Sequence, residues 1–261
     1  MNYTSKLFHF QYIDKYTLIV KANFFYDVLH VVDEQGQLLV YIKHQSNQPS
    51  EEALKILSLP FKRIYVTIPN HNLTFIPEEL YDEDDLDKYQ DFMEYPNETP
   101  IIENLDFLNI KAIYQHDVIL YKRWKSLFPQ ALFIPEFKLN LTQARAYVPL
   151  KGTVLGVVFQ DESTDIFLFI NGQFKFFNTF EVASEDDLSY FILNLFKVFH
   201  IEDQVSRIVT CGLTSEDKLC KHLNRFSQDI VILTANNQRT TVEGMPEDVS
   251  NHYFLDLPSC V

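Results

Sequence analysis

Glycine is scarce, with six in 261 residues, and Gly36 is the only one among the first 150. Loops that cradle phosphate press backbone N–H groups against the ligand and need glycine where the chain comes close. The shortage argues against most nucleotide-enzyme readings. Cysteine is sparse as well. Cys211, Cys220 and Cys260 are an odd number without Cys-x-x-Cys spacing, which fits reduced thiols in a cytoplasm rather than a disulfide framework or a zinc site. Basic charge is short, with 22 Lys and Arg against 36 Asp and Glu. Phosphate backbones are repelled by such a balance, so nucleic acid is a disfavoured partner. No apolar run approaches the roughly 18 residues of a membrane span. Residues 1–6 lead into alternating aromatics, not a leader stretch, and the expectation is a cytoplasmic protein away from the membrane. The eight His residues form no His-x-x-x-His or His/Cys grouping, and no Gly-x-Ser-x-Gly elbow occurs. Neither a metal site nor a catalytic nucleophile is expected.

What the chain does have is apolar and aromatic mass. Hydrophobic residues make up 46 % and 23 residues are Phe, an ordinary core-forming composition. Its acidity is local. Residues 78–106 hold twelve carboxylates against the single Lys88, which leaves only −3 of the net −14 for everything else. The segment from Pro77 through Asp87 reads as a helix N-terminus with its carboxylates on the dipole. Glu78 and Tyr81 on it, with Tyr89 and Phe92 just beyond it, also make a candidate docking surface for a basic protein partner, with the aromatics as anchors.

The strongest organising signal is a weak internal repeat. Residues 17–43 align without a gap to residues 153–179, so that Thr17 meets Thr153 and Gly36-Gln37 meets Gly172-Gln173. Each copy reads as strand, turn, strand, tight turn, strand. Asn171-Gly172 between apolar runs is a hairpin signal, because both residues tolerate positive φ. A helix follows each triplet: residues 50–59, stopped by Pro60, and a second opened by the cap Ser184. In the second, Leu188, Phe191, Ile192, Leu195, Phe196 and Phe199 recur at helical spacing. A fourth strand comes next, at 62–69 and 206–211. Then helix, strand and helix are expected at 79–95, 112–114 and 117–128 in the first half, and at 215–226, 229–233 and 246–254 in the second.

Three antiparallel strands, a helix, then alternating strands and helices is the order of the ribonuclease-H-like fold. Two such lobes in one α/β chain, with mixed sheets flanked by helices, give the actin-like ATPase architecture. The expected lobes are 1–150, with an acidic helical insertion, and 151–261. Proteins of this group bind ATP on Asp-x-Gly-type turns after the first strand of each lobe. Here those turns are residues 21–25 and 160–164, and neither contains glycine. Asn23, Asp161, Ser163, Thr164 and Gly212 are the residues that would line a nucleotide cleft, while Gly212 also reads as a plain strand-to-helix turn. Nucleases of the ribonuclease-H fold need several carboxylates on the first and fourth strands; those strands carry no Asp or Glu.

The run from Ile68 through Pro69 and Pro77-Glu78-Glu79-Leu80-Tyr81-Asp82, and the closing Tyr253-Phe254-Leu255-Asp256-Leu257-Pro258-Ser259-Cys260-Val261, resemble an uncharacterised bacterial family, the domain of unknown function 3822. The resemblance spans essentially the whole chain. It implies an actin-like ATPase fold and carries over no functional residue. The reading is a non-catalytic scaffold or interaction protein with a degenerate nucleotide cleft and no cofactor, working through an unidentified protein partner. The alternative is a divergent ATP-binding switch or kinase using ATP and magnesium.

Overall fold

The computed structural model describes the chain except residues 1, 84–87, 90–92, 94–99, 161–162, 236–252 and 261. Two compact units make up the described residues. One takes the chain up to Leu139 together with the closing segment from Phe254; the other runs from Asn140 and includes Tyr253.

The first unit is built on a six-stranded sheet. Its strands are β1 (Asn2–Thr4), β2 (Thr17–Lys21), β3 (Tyr26–Val32), β4 (Leu38–Gln45) and β5 (Arg63–Thr67), with the short β9 (Leu132–Phe133) on the far edge. The order is β1-β4-β3-β2-β5-β9. β2 pairs antiparallel with β3 and parallel with β5, which in turn pairs parallel with β9. Helix α1 (Glu51–Leu57) is capped by Ser50, whose side chain accepts the Ala53 N–H. Helix α2 (Val118–Leu127) is capped by Asp117 in the same way, on Leu120. Both bury apolar stripes against one sheet face: Ala53 and Ile56 from α1 join Leu120 and Trp124 from α2, over Leu18, Val20, Leu29, Val31 and Ile64.

Between β5 and β9 the chain inserts a separate antiparallel sheet of β6 (Asn70–Pro77), β7 (Ile101–Leu105) and β8 (Ile110–His116), in the order β6-β8-β7. This corrects two expectations. The segment 112–114 is not the fifth strand of the main sheet; it is the buried middle of β8. Nor does a helix open at Glu79. A single 3-10 turn covers Glu78–Leu80, and Tyr81 is already extended at φ −80°, ψ 127°. Much of the remaining expected helix lies outside the described residues.

Helix α3 (Glu136–Arg145) leads into the second unit. That unit's sheet is β10 (Thr153–Phe159), β11 (Thr164–Ile170), β12 (Gln173–Phe180), β13 (Arg207–Cys211) and β14 (Ile230–Ile232). Its order is β12-β11-β10-β13-β14. Helix α4 (Glu185–Val198), capped by Ser184, buries Leu188, Ile192, Leu195 and Phe196 on one face. Helix α5 (Lys218–His222) runs on into a 3-10 turn at Leu223–Arg225, a shorter helical stretch than the expected 215–226. The helix expected at 246–254 falls mostly outside the described residues; what is described there is a 3-10 segment, Tyr253–Cys260.

Strip the first sheet of its outer strand β1 and both sheets share one order, third-second-first-fourth-fifth, which is that of the ribonuclease-H-like fold. The match extends to detail. Leu18 pairs with Val31 in β2/β3 as Leu155 pairs with Leu168 in β10/β11, and a β-bulge follows directly after Val31 and after Leu168. The equivalence sets Thr17 against Val154, not Thr153. The ungapped sequence alignment is therefore one residue out over the first two strands, which inverts their faces. It holds for β4 and β12, where Gly36 and Gly172 both have positive φ, 77° and 78°.

Candidate functional site

The residues singled out for phosphate contact sit at the carboxyl ends of β2, β10 and β13. Asn23 belongs to the first unit, whereas Ser163, Thr164 and Gly212 belong to the second; Asp161 lies outside the described residues.

In the first unit, three successive backbone donors are already used. Ala22 N–H donates to Thr67 O at 2.9 Å. Asn23 N–H donates to Asp27 Oδ1 at 3.3 Å, and Phe24 N–H to the Asn23 side-chain oxygen at 2.5 Å. From the other side Ser46 Oγ donates to Asn23 O at 2.6 Å. A phosphate would need those N–H groups free. Instead an acidic oxygen from the chain itself lies against the turn. Asp27, 2 % exposed, is held by Arg123 Nη2 at 2.7 Å. Burial raises its carboxyl above the usual carboxylate range, against the lowering pull of Arg123, His44 and the Asn23 N–H. Phe24 and Phe25, about half exposed, fill the tip of the turn with aromatic rings.

The corresponding turn of the second unit closes on itself as well. Gln160 N–H donates to Ser163 O at 2.8 Å, and Ser163 Oγ to Gln160 Oε1 at 3.2 Å. Gln160 Nε2 reaches down to Asp165 Oδ2 at 2.9 Å. Asp165 is buried, and it also accepts from Thr179 Oγ1 at 2.7 Å and Asn140 Nδ2 at 3.2 Å. Thr164 is buried beside it as the first residue of β11. Gly212 has φ +92°, and a Cβ there would lie 1.8 Å from the Phe159 carbonyl oxygen. Close approach of β13 to the end of β10 accounts for that glycine without any ligand.

Of the four docking candidates, Glu78 is exposed and its N–H donates to Asn109 O at 3.0 Å. Tyr81 and Tyr89 stack, with centroids 6.0 Å apart and rings 8° from parallel, and Lys111 Nζ sits 4.8 Å over the Tyr81 ring. Partial desolvation and nearby Glu83, Tyr89 and Asp82 raise the Tyr81 phenol above its ordinary value. Phe92 lies outside the described residues.

One grouping escapes any linear reading. Ser189 Oγ lies 2.7 Å from His222 Nε2, and His222 Nδ1 lies 3.8 Å from Glu185 Oε1. The residue types are those of a hydrolytic triad, but the geometry is not. Glu185 is beyond hydrogen-bond range of the imidazole. Ser189 stands within α4, where backbone N–H groups are spent on the helix and none is left for an oxyanion hole. Its hydroxyl also donates to Glu185 O at 2.9 Å. The trio ties α5 to α4. Among the described residues no three His, Cys, Asp or Glu side chains gather as a metal site, and no helix is long and apolar enough to cross a membrane.

Two ribonuclease-H-like lobes make this an α/β protein of the actin-like ATPase fold, and solved structures agree. A Bacteroides thetaiotaomicron VPI-5482 protein, described as having an actin-like ATPase fold and unknown function, superposes with TM-score 0.68 at 20 % identity, over 87 % of this chain and 93 % of that one. A chain of the PilM–PilN type IV pilus biogenesis complex superposes with TM-score 0.58 at 9 % identity, over 94 % and 97 %. None of the curated proteins matches. The family described as "Protein of unknown function (DUF3822)" matches residues 5–230, and the chain belongs to it.

Proposed function

We propose that the protein is a non-catalytic cytoplasmic scaffold that uses the actin-like fold for protein contacts and works without a cofactor. One observation carries this reading. The turn after β2, where a working ATPase of this fold would hold phosphate, has its N–H groups of Asn23 and Phe24 occupied by side-chain oxygens of Asp27 and Asn23. A phosphate there would have to displace a carboxylate and would meet its charge at close range. The PilM–PilN assembly supports the idea that this fold serves in protein complexes. The acidic stretch with Glu78, Tyr81 and Tyr89 suits a basic protein partner.

Thermal unfolding with ATP, ADP and GTP, each with and without magnesium, tests the reading. A ligand at 100 times its dissociation constant stabilises by about 2.7 kcal/mol, a shift of several degrees for a protein of this size. The expected result is no shift with any nucleotide. A magnesium-dependent shift would overturn the reading in favour of an ATP-binding switch or kinase.

A further inference from the structure

The two faces of helix α4 meet different surroundings. Leu188, Ile192, Leu195 and Phe196 are buried in the core of the second unit. On the opposite side Asp186, Tyr190, Leu193 and Lys197 follow one another at steps of four, three and four residues, the spacing of a seam between two paired helices. All four are exposed, Tyr190 at 66 % and Leu193 at 54 %. A single apolar side chain on a surface needs no explanation. Here two occupy neighbouring turns of one stripe, with an acid before them and a base after them. The Tyr190 ring stands edge-on to Phe191, with centroids 5.3 Å apart, so it is held in place before any partner arrives. Among the described residues Asp186 and Lys197 form no ion pair within the chain. Glu185 and Ser189, on the flank of the stripe, approach His222 of α5 instead.

We propose that two copies of the chain associate through this face, with α4 of one lying antiparallel to α4 of the other across a two-fold axis. The order of the four residues selects that occupant. An axis level with the middle of the stripe sets Asp186 of one copy opposite Lys197 of the second copy, and Tyr190 opposite Leu193, and symmetry makes each contact twice. Parallel pairing would set Asp186 against Asp186 and Lys197 against Lys197. The antiparallel arrangement also places the N-terminus of each helix beside the C-terminus of the other, so the helix dipoles attract. A rigid aromatic ring at the centre is a favoured anchor for such a contact. The charge order further accounts for how two chains that each carry −14 can meet, because on this stripe acid faces base. An unrelated protein would have to present the same charges in reverse order, whereas a second copy does so by symmetry.

The test is the mass in solution of the full chain across a wide range of concentration, for the wild type, Lys197→Glu, Asp186→Lys and the double exchange. A dimer of the 30.7 kDa chain is expected for the wild type. Each single reversal sets like charges against each other twice and should raise the dissociation constant about tenfold. The double exchange restores opposite charges and should bring it back to within about threefold of wild type. Asp186→Lys makes the chain less acidic, so an effect of overall repulsion would tighten the dimer where the stripe requires it to loosen. Both positions are exposed, and unchanged helix content by circular dichroism verifies that each variant is folded. A wild type that stays monomeric at every concentration would overturn the proposal. So would a dimer indifferent to the single reversals, or one that the double exchange fails to restore.

Discussion

Two buried carboxylates and one glycine explain why the phosphate turns look as they do. Asp27 and Asp165 both brace a turn from within, yet they are not equivalents. Asp27 lies on the sheet face that α2 covers, where Arg123 reaches it, whereas Asp165 faces the opposite side, where Asn140 meets it. In the structural pairing the counterpart of Asp27 is Thr164, so each lobe closed its turn with different residues. Gly212 carries a sharper prediction. Gly212→Ala would set a methyl 1.8 Å from the Phe159 carbonyl in a backbone with φ +92°. β13 must then move away from β10. The expected loss is about 3 kcal/mol or more, read as a lower urea midpoint at unchanged slope. If the glycine served only a ligand, stability would stay near wild type.

The inserted sheet supplies the pH dependence. His116 at the end of β8 stacks on Tyr121 of α2 at 5.4 Å and contacts Tyr114 and Phe133. Burial lowers its pKa to about 4. The unfolded chain takes up that proton near 6.5, so this group's contribution is complete above about pH 6.5 and is lost as pH falls towards 4, by about 3 kcal/mol in all. His116→Phe should flatten that part of the pH profile of unfolding free energy while leaving other carboxylate effects in place. An identical slope in the variant would show that His116 does not control it. This inserted sheet is also where sequence reading failed. The repeated triplets were legible because their turns and apolar strands are strong local signals; the cap Ser184 fell where expected, and the helices expected from residues 50 and 117 do open there, behind Ser50 and Asp117. β6 and β7 have neither signal. Their residues are mostly half-buried, so no alternation of apolar and polar positions marks a face. The carboxylates that follow β6 instead imitated a helix start. The turn locks at Asp27 and Asp165 were invisible for another reason: Arg123 is 96 residues from its partner, and no local pattern records such a contact.

At the scale of the whole molecule, the chain's end belongs with its beginning. Phe254, Leu257 and Cys260 are buried, and Lys21 Nζ on β2 lies 4.4 Å over the Phe254 ring. The closing segment thus completes the first unit, although the second unit lies between them in sequence. That arrangement makes damage at the end of the chain a problem for the first sheet. Leu257, which is fully buried, loses three carbons in Leu257→Ala and leaves a cavity, at a cost of about 3 kcal/mol. Amide exchange locates the loss. Protection should fall in β2, β3 and β5 and stay at the wild-type level in β10, β11 and β13, because opening of one cooperative unit does not require opening of the other. Equal losses in both sheets would mean that the two units unfold as one, and the closing segment would then be a brace for the entire chain.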